Sequence, residues 1–109
     1  MDKKYFIAAA SGLLLLSGCA SFKLGNDFDL THFAANVEHG ATTKSDIQQW
    51  LGAPQSTGMV VNREGEKLQR WLYYYSQGKL SSMQNTRMKT LEIQFDQQGI
   101  VQAYDWIGE

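Results

Sequence analysis

Few residues of this chain could take part in covalent or acid–base chemistry, and the first of them is a cysteine. Cys19 is the only cysteine of the 109 residues. It follows an apolar run over residues 6–16, and Lys3 and Lys4 precede that run. A charged start, an apolar middle and small residues before a cut site are the layout of a secretory signal. Since the chain holds no second cysteine to pair with, the Cys19 thiol is available for another modification.

The residues around this cysteine indicate which modification that is. The tetrad Leu16-Ser17-Gly18-Cys19 resembles the lipobox of bacterial lipoprotein signals at every position. The resemblance implies that the chain is cut before Cys19 and that both the thiol and the new N-terminal amine are acylated. Ala20, in the next position, resembles the sorting pattern for the outer membrane of a diderm bacterium. We therefore expect a lipid anchor at the periplasmic face of that membrane.

The alternative is an ordinary thiol beside a membrane-spanning helix. The apolar run is shorter than the about 20 residues that such a helix needs, and lipidation accounts for both the short run and the unpaired cysteine. Each buried methylene of an acyl chain contributes about 0.8 kcal/mol, and more than one chain makes anchoring stable. We predict a signal peptide over residues 1–18, a lipidated tether over 19–29 and one small folded domain over 30–109.

The other reactive side chains form no recognisable site. His32 and His39 are the only histidines and lie seven positions apart, whereas a metal site usually needs three or four ligands. No serine lies in a motif that would activate it as a nucleophile, and there is no glycine-rich phosphate loop. The net charge of −1 does not indicate a nucleic-acid partner. We expect no metal, no cofactor and no enzymatic activity.

Two short helices should open the domain. Leu30, Phe33 and Val37 form one apolar stripe over residues 30–39, and Gly40 can end that helix. The second helix, over residues 43–52, starts with Thr43 and Asp46 in the spacing of a capping box.

From Ser56 onward the apolar period changes to two, which predicts strands. The candidate strands cover residues 59–61, 68–75, 88–95 and 100–107, with a polar loop over 76–86 and a hairpin turn over 96–99. Helices followed by strands indicate an α+β fold. We predict two N-terminal helices packed on one face of a three- to four-stranded antiparallel β-sheet.

Aromatic residues are concentrated on the predicted strands. They are Trp71, Tyr73, Tyr74, Tyr75, Tyr104 and Trp106. Because side chains alternate along a strand, some of these rings should lie in the core and the others on the surface. An exposed aromatic patch usually marks an interface, so these residues are candidate partner contacts. Two questions stay open: which alternating set faces outward, and whether the loop over 76–86 covers it.

Several motifs, read together, resemble one known family. They are Gly40-Ala41-Thr42-Thr43-Lys44-Ser45-Asp46-Ile47, Leu51-Gly52-Ala53-Pro54, Trp71-Leu72-Tyr73-Tyr74, and Leu91-Glu92-Ile93-Gln94-Phe95-Asp96 with Gly99-Ile100-Val101. In this order behind a lipobox, over residues 37–106, they resemble the SmpA/OmlA (BamE-like) family of outer-membrane lipoproteins. The resemblance implies two helices on a three-stranded antiparallel sheet and no enzymatic activity. It also implies partners among the subunits of the machinery that inserts β-barrels into the outer membrane.

One stretch leaves a second function open. Residues 22–30 do not match the segment that the family uses for partner contact ahead of its first helix. The alternative hypothesis is a stand-alone lipoprotein of the same fold that binds or inhibits another periplasmic protein. The two hypotheses share the anchor and differ in the partner.

Overall fold

The computed structural model describes residues 21–79 and 82–108, and within 82–85 only the backbone. The predicted signal peptide and Cys19 lie outside the described residues. The fold is α+β, with two helices and one five-stranded antiparallel sheet. In chain order the elements are β1 (Ser21–Gly25), α1 (Leu30–Asn36), α2 (Lys44–Leu51), β2 (Ser56–Val61), β3 (Lys67–Lys79), β4 (Ser82–Phe95) and β5 (Val101–Ile107).

The long strand β3 organises the sheet. One edge of β3 pairs with β4 over most of its length, and β4 then pairs with β5. The other edge of β3 is shared, because β2 pairs with residues 67–72 and β1 pairs with residues 75–79. The sheet is therefore four strands wide, and two separate strands occupy one of its positions.

Both helices begin at side-chain caps. The Asp29 side chain accepts a hydrogen bond of 3.0 Å from the backbone N–H of His32 at the start of α1. At the start of α2 the Thr43 hydroxyl accepts from the Asp46 N–H at 3.2 Å, and the Asp46 carboxylate accepts from the Thr43 N–H at 3.1 Å. The predicted capping box is confirmed. The predicted stop is also confirmed, because α2 ends at Gly52, whose φ is +80°.

Side-chain alternation in β3 and β4 builds the core. Trp71, Tyr73 and Tyr75 of β3 are buried, and they share one cluster with helix and strand residues. Besides Tyr73, the fully buried members of that cluster are Phe33, Ile47, Leu91, Ile93, Phe95 and Val101. Leu91, Ile93 and Phe95 alternate in the sequence with polar residues, as expected of a strand with one buried face, and all three point into the core. We call this the core face of the sheet, and we call the side that carries Leu72 and Tyr74 the reverse face.

Strand β5 departs from the simple alternation that the sequence suggests. Phe95 pairs with Val101, but the preceding Gln94 pairs with Ala103. Gln102 is therefore an extra residue in a β-bulge, which lets Val101 and Tyr104 point to the same face. Strict alternation along the sequence would instead place Val101 on the face opposite Tyr104, and the bulge is the reason that it does not.

The predicted polar loop over 76–86 is also wrong. Residues 76–79 belong to β3 and residues 82–86 to β4, and residues 76, 77 and 79 pair with residues 88, 87 and 82. Gly78 fits here because a Cβ at this position would come within 3.1 Å of the Phe22 ring and 2.8 Å of the Thr86 hydroxyl. The backbone hydrogen bonds of the paired strands stabilise polar residues that have little strand propensity of their own.

Ordered structure also begins earlier than the predicted domain start at residue 30. Within the stretch predicted as a tether, Ser21–Gly25 form β1, and Phe28 is buried in the core cluster. Strand β1, residues 75–79 of β3 and residues 82–89 of β4 together form a three-stranded projection of the sheet, which we call the arm. None of the helices in the described part of the chain is long and apolar enough to cross a membrane.

Candidate interaction surface

The predicted aromatic residues fall into three groups. The first group is buried: Trp71, Tyr73 and Tyr75 are between 1% and 7% exposed. The Trp71 ring packs edge-on against Phe95 at 4.8 Å between centroids, and the Lys44 ammonium lies 5.6 Å from its centre. These three side chains stabilise the core and leave little surface for a partner.

Tyr73 combines burial with one polar contact. Its hydroxyl donates a hydrogen bond of 2.8 Å to the carbonyl oxygen of Gly52, at the end of α2. Burial raises the pKa of the Tyr73 phenol above its ordinary value of 10. Tyr73 therefore joins the sheet to the C-terminus of α2 and requires the neutral phenol to do so.

The second group lies on β5 and is partly exposed. Tyr104 and Trp106 are 37% and 40% exposed, and their rings stack almost parallel, with 6.0 Å between centroids and 8° between planes. Phe33 of α1 supports both rings from below, edge-on to each at 5.5 and 6.2 Å. A rigid aromatic pair with one open side is the kind of surface that anchors a protein partner.

The free edge of β5 lies beside this stacked pair. At the start of the strand, Val101 exchanges backbone hydrogen bonds of 2.8 Å with Gly40 and Thr42, which belong to the connection between the helices. From Ala103 to Ile107, nothing among the described residues pairs with the second edge of β5. An unpaired strand edge presents backbone donors and acceptors to a partner chain.

The third group is a single residue, Tyr74, which is 42% exposed on the reverse face. Its apolar neighbours there are residues that the aromatic pattern did not single out. Leu24, Met88 and Ile107 are each about 60% exposed or more. The alternation of Phe22 with Leu24, and the even position of Met88 among odd-numbered core residues, are the signals in the sequence that could have identified them.

Lys89 fastens the segment before α1 to the sheet. Its ammonium forms an ion pair with Asp27, donates to the carbonyl oxygen of Phe28 and lies 4.9 Å from the centre of the Phe28 ring. The hydrogen bond from Lys89 holds the pKa of Asp27 below its ordinary value. The stretch that joins the predicted anchor to the helices is therefore fixed at several points.

Neither histidine belongs to a ligand cluster. His32 packs edge-on against Trp50 at 5.2 Å, and both His32 and His39 are exposed. Within residues 21–79 and 82–108, no group of three or more His, Cys, Asp or Glu side chains is arranged to hold a metal ion. A shallow cavity of about 220 Å³ opens beside β4, lined by Tyr75, Thr86, Arg87, Met88, Lys89 and Gly108. This lining carries cations and a phenol, and no carboxylate or imidazole lies among these six residues.

No protein-family model matches the chain, and searches of the curated proteins and of the solved structures find no match either. The motif around Cys19 and the surfaces described above are the features of this chain that bear on its function.

Proposed function

We propose that this chain is a lipid-anchored interaction module without enzymatic activity, held at the periplasmic face of the outer membrane and similar to the SmpA/OmlA (BamE-like) lipoproteins. The tetrad Leu16-Ser17-Gly18-Cys19, which resembles a lipobox, supports the lipid anchor. The observation that carries the interaction role is the stacked, partly exposed pair of Tyr104 and Trp106 beside the free edge of β5.

The family resemblance implies a more detailed fold than the α+β class alone, namely a position for the two helices on the sheet. In this proposal both helices pack on the core face of the sheet. Two observations support this arrangement: the Phe33 ring contacts Tyr104 and Trp106, and Phe33 and Ile47 are buried in one cluster with strand residues. The family-like partners would be subunits of the machinery that assembles barrels in the outer membrane.

A second candidate function has an observation in its favour. The stretch where the family carries its partner-contact segment is engaged within this chain, because residues 21–25 pair with β3 and Lys89 holds Asp27 and Phe28. This favours a stand-alone lipoprotein of the same fold that binds or inhibits a different periplasmic protein through β5.

Photo-crosslinking in whole cells tests both candidates. A photoreactive phenylalanine analogue is placed at Tyr104 in the full chain, and a matched control carries it at Arg63, an exposed residue between β2 and β3. We expect a discrete crosslinked protein from position 104 and none from position 63. Barrel-assembly subunits in the product, identified by mass spectrometry, would support the first candidate, and a different single periplasmic protein would support the second. Equal or absent crosslinking at the two positions would contradict the role of β5.

The anchor has its own test. Mass spectrometry of the mature N-terminus should find an acylated Cys19 as the first residue. A retained Met1, or a free thiol at Cys19, would contradict the proposed localisation.

A further inference from the structure

The arm has one apolar face. On its reverse side, Leu24, Ser76 and Met88 form one cross-strand row, and Tyr74, Thr90 and Ile107 form the adjoining row, where the rest of the sheet begins. Phe22 lies over Gly78 in the row beyond Leu24. Ser76 and Thr90 lie between the apolar members of these rows, but diagonal neighbours such as Leu24, Tyr74 and Met88 lie about 7–8 Å apart, within reach of aromatic and long side chains, so the apolar residues form one patch. Leu24, Met88 and Ile107 are 59%, 61% and 65% exposed, more than a folded chain usually leaves uncovered in one place.

The core side of the arm is cationic. Beyond the reach of the helices it carries Lys23, Lys79, Arg87 and Lys89. The one carboxylate that pairs with this group in the described part of the chain is Asp27. The arm is therefore amphipathic, with an apolar reverse face and a positively charged core face, which is the pattern of elements that lie in a membrane interface.

The apolar surface ends where the arm joins the rest of the sheet. The next reverse-face rows carry Glu92 and Asp105 beside Leu72, and Gln94 beside Arg70. Exposed apolar side chains on the reverse face are thus concentrated at one end of the sheet.

That end is also where the chain would meet its lipid. A single residue, Ala20, separates Cys19 from Ser21, and Ser21 pairs with Lys79 at the tip of the arm. Consecutive Cα atoms are about 3.8 Å apart, so the Cα of Cys19 can be no more than roughly 8 Å from that of Ser21. An acylated Cys19 would therefore hold the arm, and not only the chain end, against the bilayer.

We propose that the arm lies on the leaflet that holds the lipid anchor, with Phe22, Leu24 and Met88 of the arm, and Tyr74 and Ile107 of the adjoining row, inserted into its interfacial layer. This inference rests on the proposed lipidation of Cys19. The anchor keeps the arm at high local concentration near the bilayer, so a weak apolar contact suffices to fix its orientation. The helices and the aromatic pair of β5 are then held at a constant angle to the membrane.

Spin-label accessibility tests the proposal on the full lipidated protein in phosphatidylcholine vesicles. Acylation consumes Cys19, so Met88→Cys introduces the only free thiol. Met59→Cys is a matched control, because Met59 is 64% exposed but lies on β2, away from the arm. With a nitroxide at each site, we expect several-fold higher oxygen accessibility and several-fold lower nickel-chelate accessibility at position 88 than at position 59.

Two further variants separate insertion from a local effect of the label. Leu24→Glu, added to Met88→Cys, should return position 88 to the water-exposed values of position 59. Val61→Glu is the matched change on β2, where Val61 is 62% exposed, and it should leave position 88 inserted.

Other outcomes would overturn the proposal. Equal water exposure at positions 88 and 59 would show that the arm stands clear of the bilayer. Lower accessibility to both oxygen and nickel at position 88 would show that a protein surface covers the arm instead. A second label on each chain, seen in the mass of the labelled protein, would reveal a free Cys19. That result would reject the anchor itself, and so is distinguishable from a failure of the arm alone.

Discussion

Gly25 crosses Tyr74 so closely that no side chain fits between them. A Cβ on Gly25 would come 2.2 Å from the carbonyl oxygen of Tyr74, and the φ of Gly25 is +74°. This close approach lets β1 end on β3 and lets the chain turn toward Phe28 and α1. The attachment of the arm to the rest of the domain therefore depends on a missing side chain.

Gly25→Ala should destabilise the protein by about 2–3 kcal/mol, because left-handed backbone strain and a backbone clash act together. The matched control is Gly65→Ala. Gly65 has a φ of +80°, but a Cβ at Gly65 would meet no atom within 4 Å, so strain alone should cost about 1 kcal/mol. Urea denaturation of the full chain in detergent measures both values. Equal losses in the two variants would contradict the importance of the close approach.

Lys89→Met should lower the free energy of unfolding by roughly 1–2 kcal/mol, chiefly through the lost hydrogen bond to the Phe28 carbonyl. The ion pair with Asp27 adds less, because the Asp27 side chain is 62% exposed and is screened by water. Lys67→Met, at an exposed position of β3, is the control and should change little. A similar loss in both variants would argue against a special role for Lys89.

The Asp27 carboxylate makes the stability of the protein depend on pH in the acid range, and the direction follows from its lowered pKa. Its folded-state pKa is lower than the ordinary value of 3.8 because Lys89 stabilises the charged form. Its contribution to stability is therefore complete above that ordinary value and is lost as the pH falls through the lowered one. We expect the stability of the parent protein to fall more steeply below about pH 4 than that of Asp27→Asn. Parallel curves in acid for the two proteins would contradict this.

Tyr73 makes the stability of the protein depend on pH in the alkaline range, with the opposite sign. Because burial raises its folded-state pKa above the ordinary value of 10, its contribution is complete below pH 10 and is lost as the pH rises toward the raised value. Tyr73→Phe removes the hydrogen bond to Gly52 and should cost about 1 kcal/mol at pH 7. Above pH 10 the difference should shrink, since the variant has no phenol to ionise at this position. Denaturation at pH 7 and at pH 10.5 measures the effect, and a constant difference would contradict it.

Local signals in the sequence predicted the two central strands and both helices, although α1 ends at Asn36 and not at Gly40. Thr43 and Asp46 are three residues apart, so their reciprocal hydrogen bonds form within one turn and are visible in the spacing. Likewise, the alternation of Leu91, Ile93 and Phe95 reflects a strand that is buried on one face and half-exposed on the other.

Strand β1, residues 76–79 and the bulge of β5 escaped because they depend on partners far away in the chain. Residues 76–79 have no strand pattern of their own, and their conformation is fixed by pairing with β1 and β4. Gln102 can be recognised as an extra residue only from the pairing of β5 with β4. Phe95 pairs with Val101 and Gln94 pairs with Ala103, so Gln102 has no pairing partner on β4.

The sequence by itself determined the lipobox-like motif at Cys19, the helix caps, the core positions of β4, and the α+β class. Each of these depends on residues that are close together in the sequence or on a short repeat of apolar residues. Only the tertiary structure decided that Trp71, Tyr73 and Tyr75 are buried while Tyr104 and Trp106 stay partly open, and that Leu24 and Met88 share a surface. The physical reason is that cross-strand pairing joins residues far apart in the chain, and no local pattern records which strand will lie beside which.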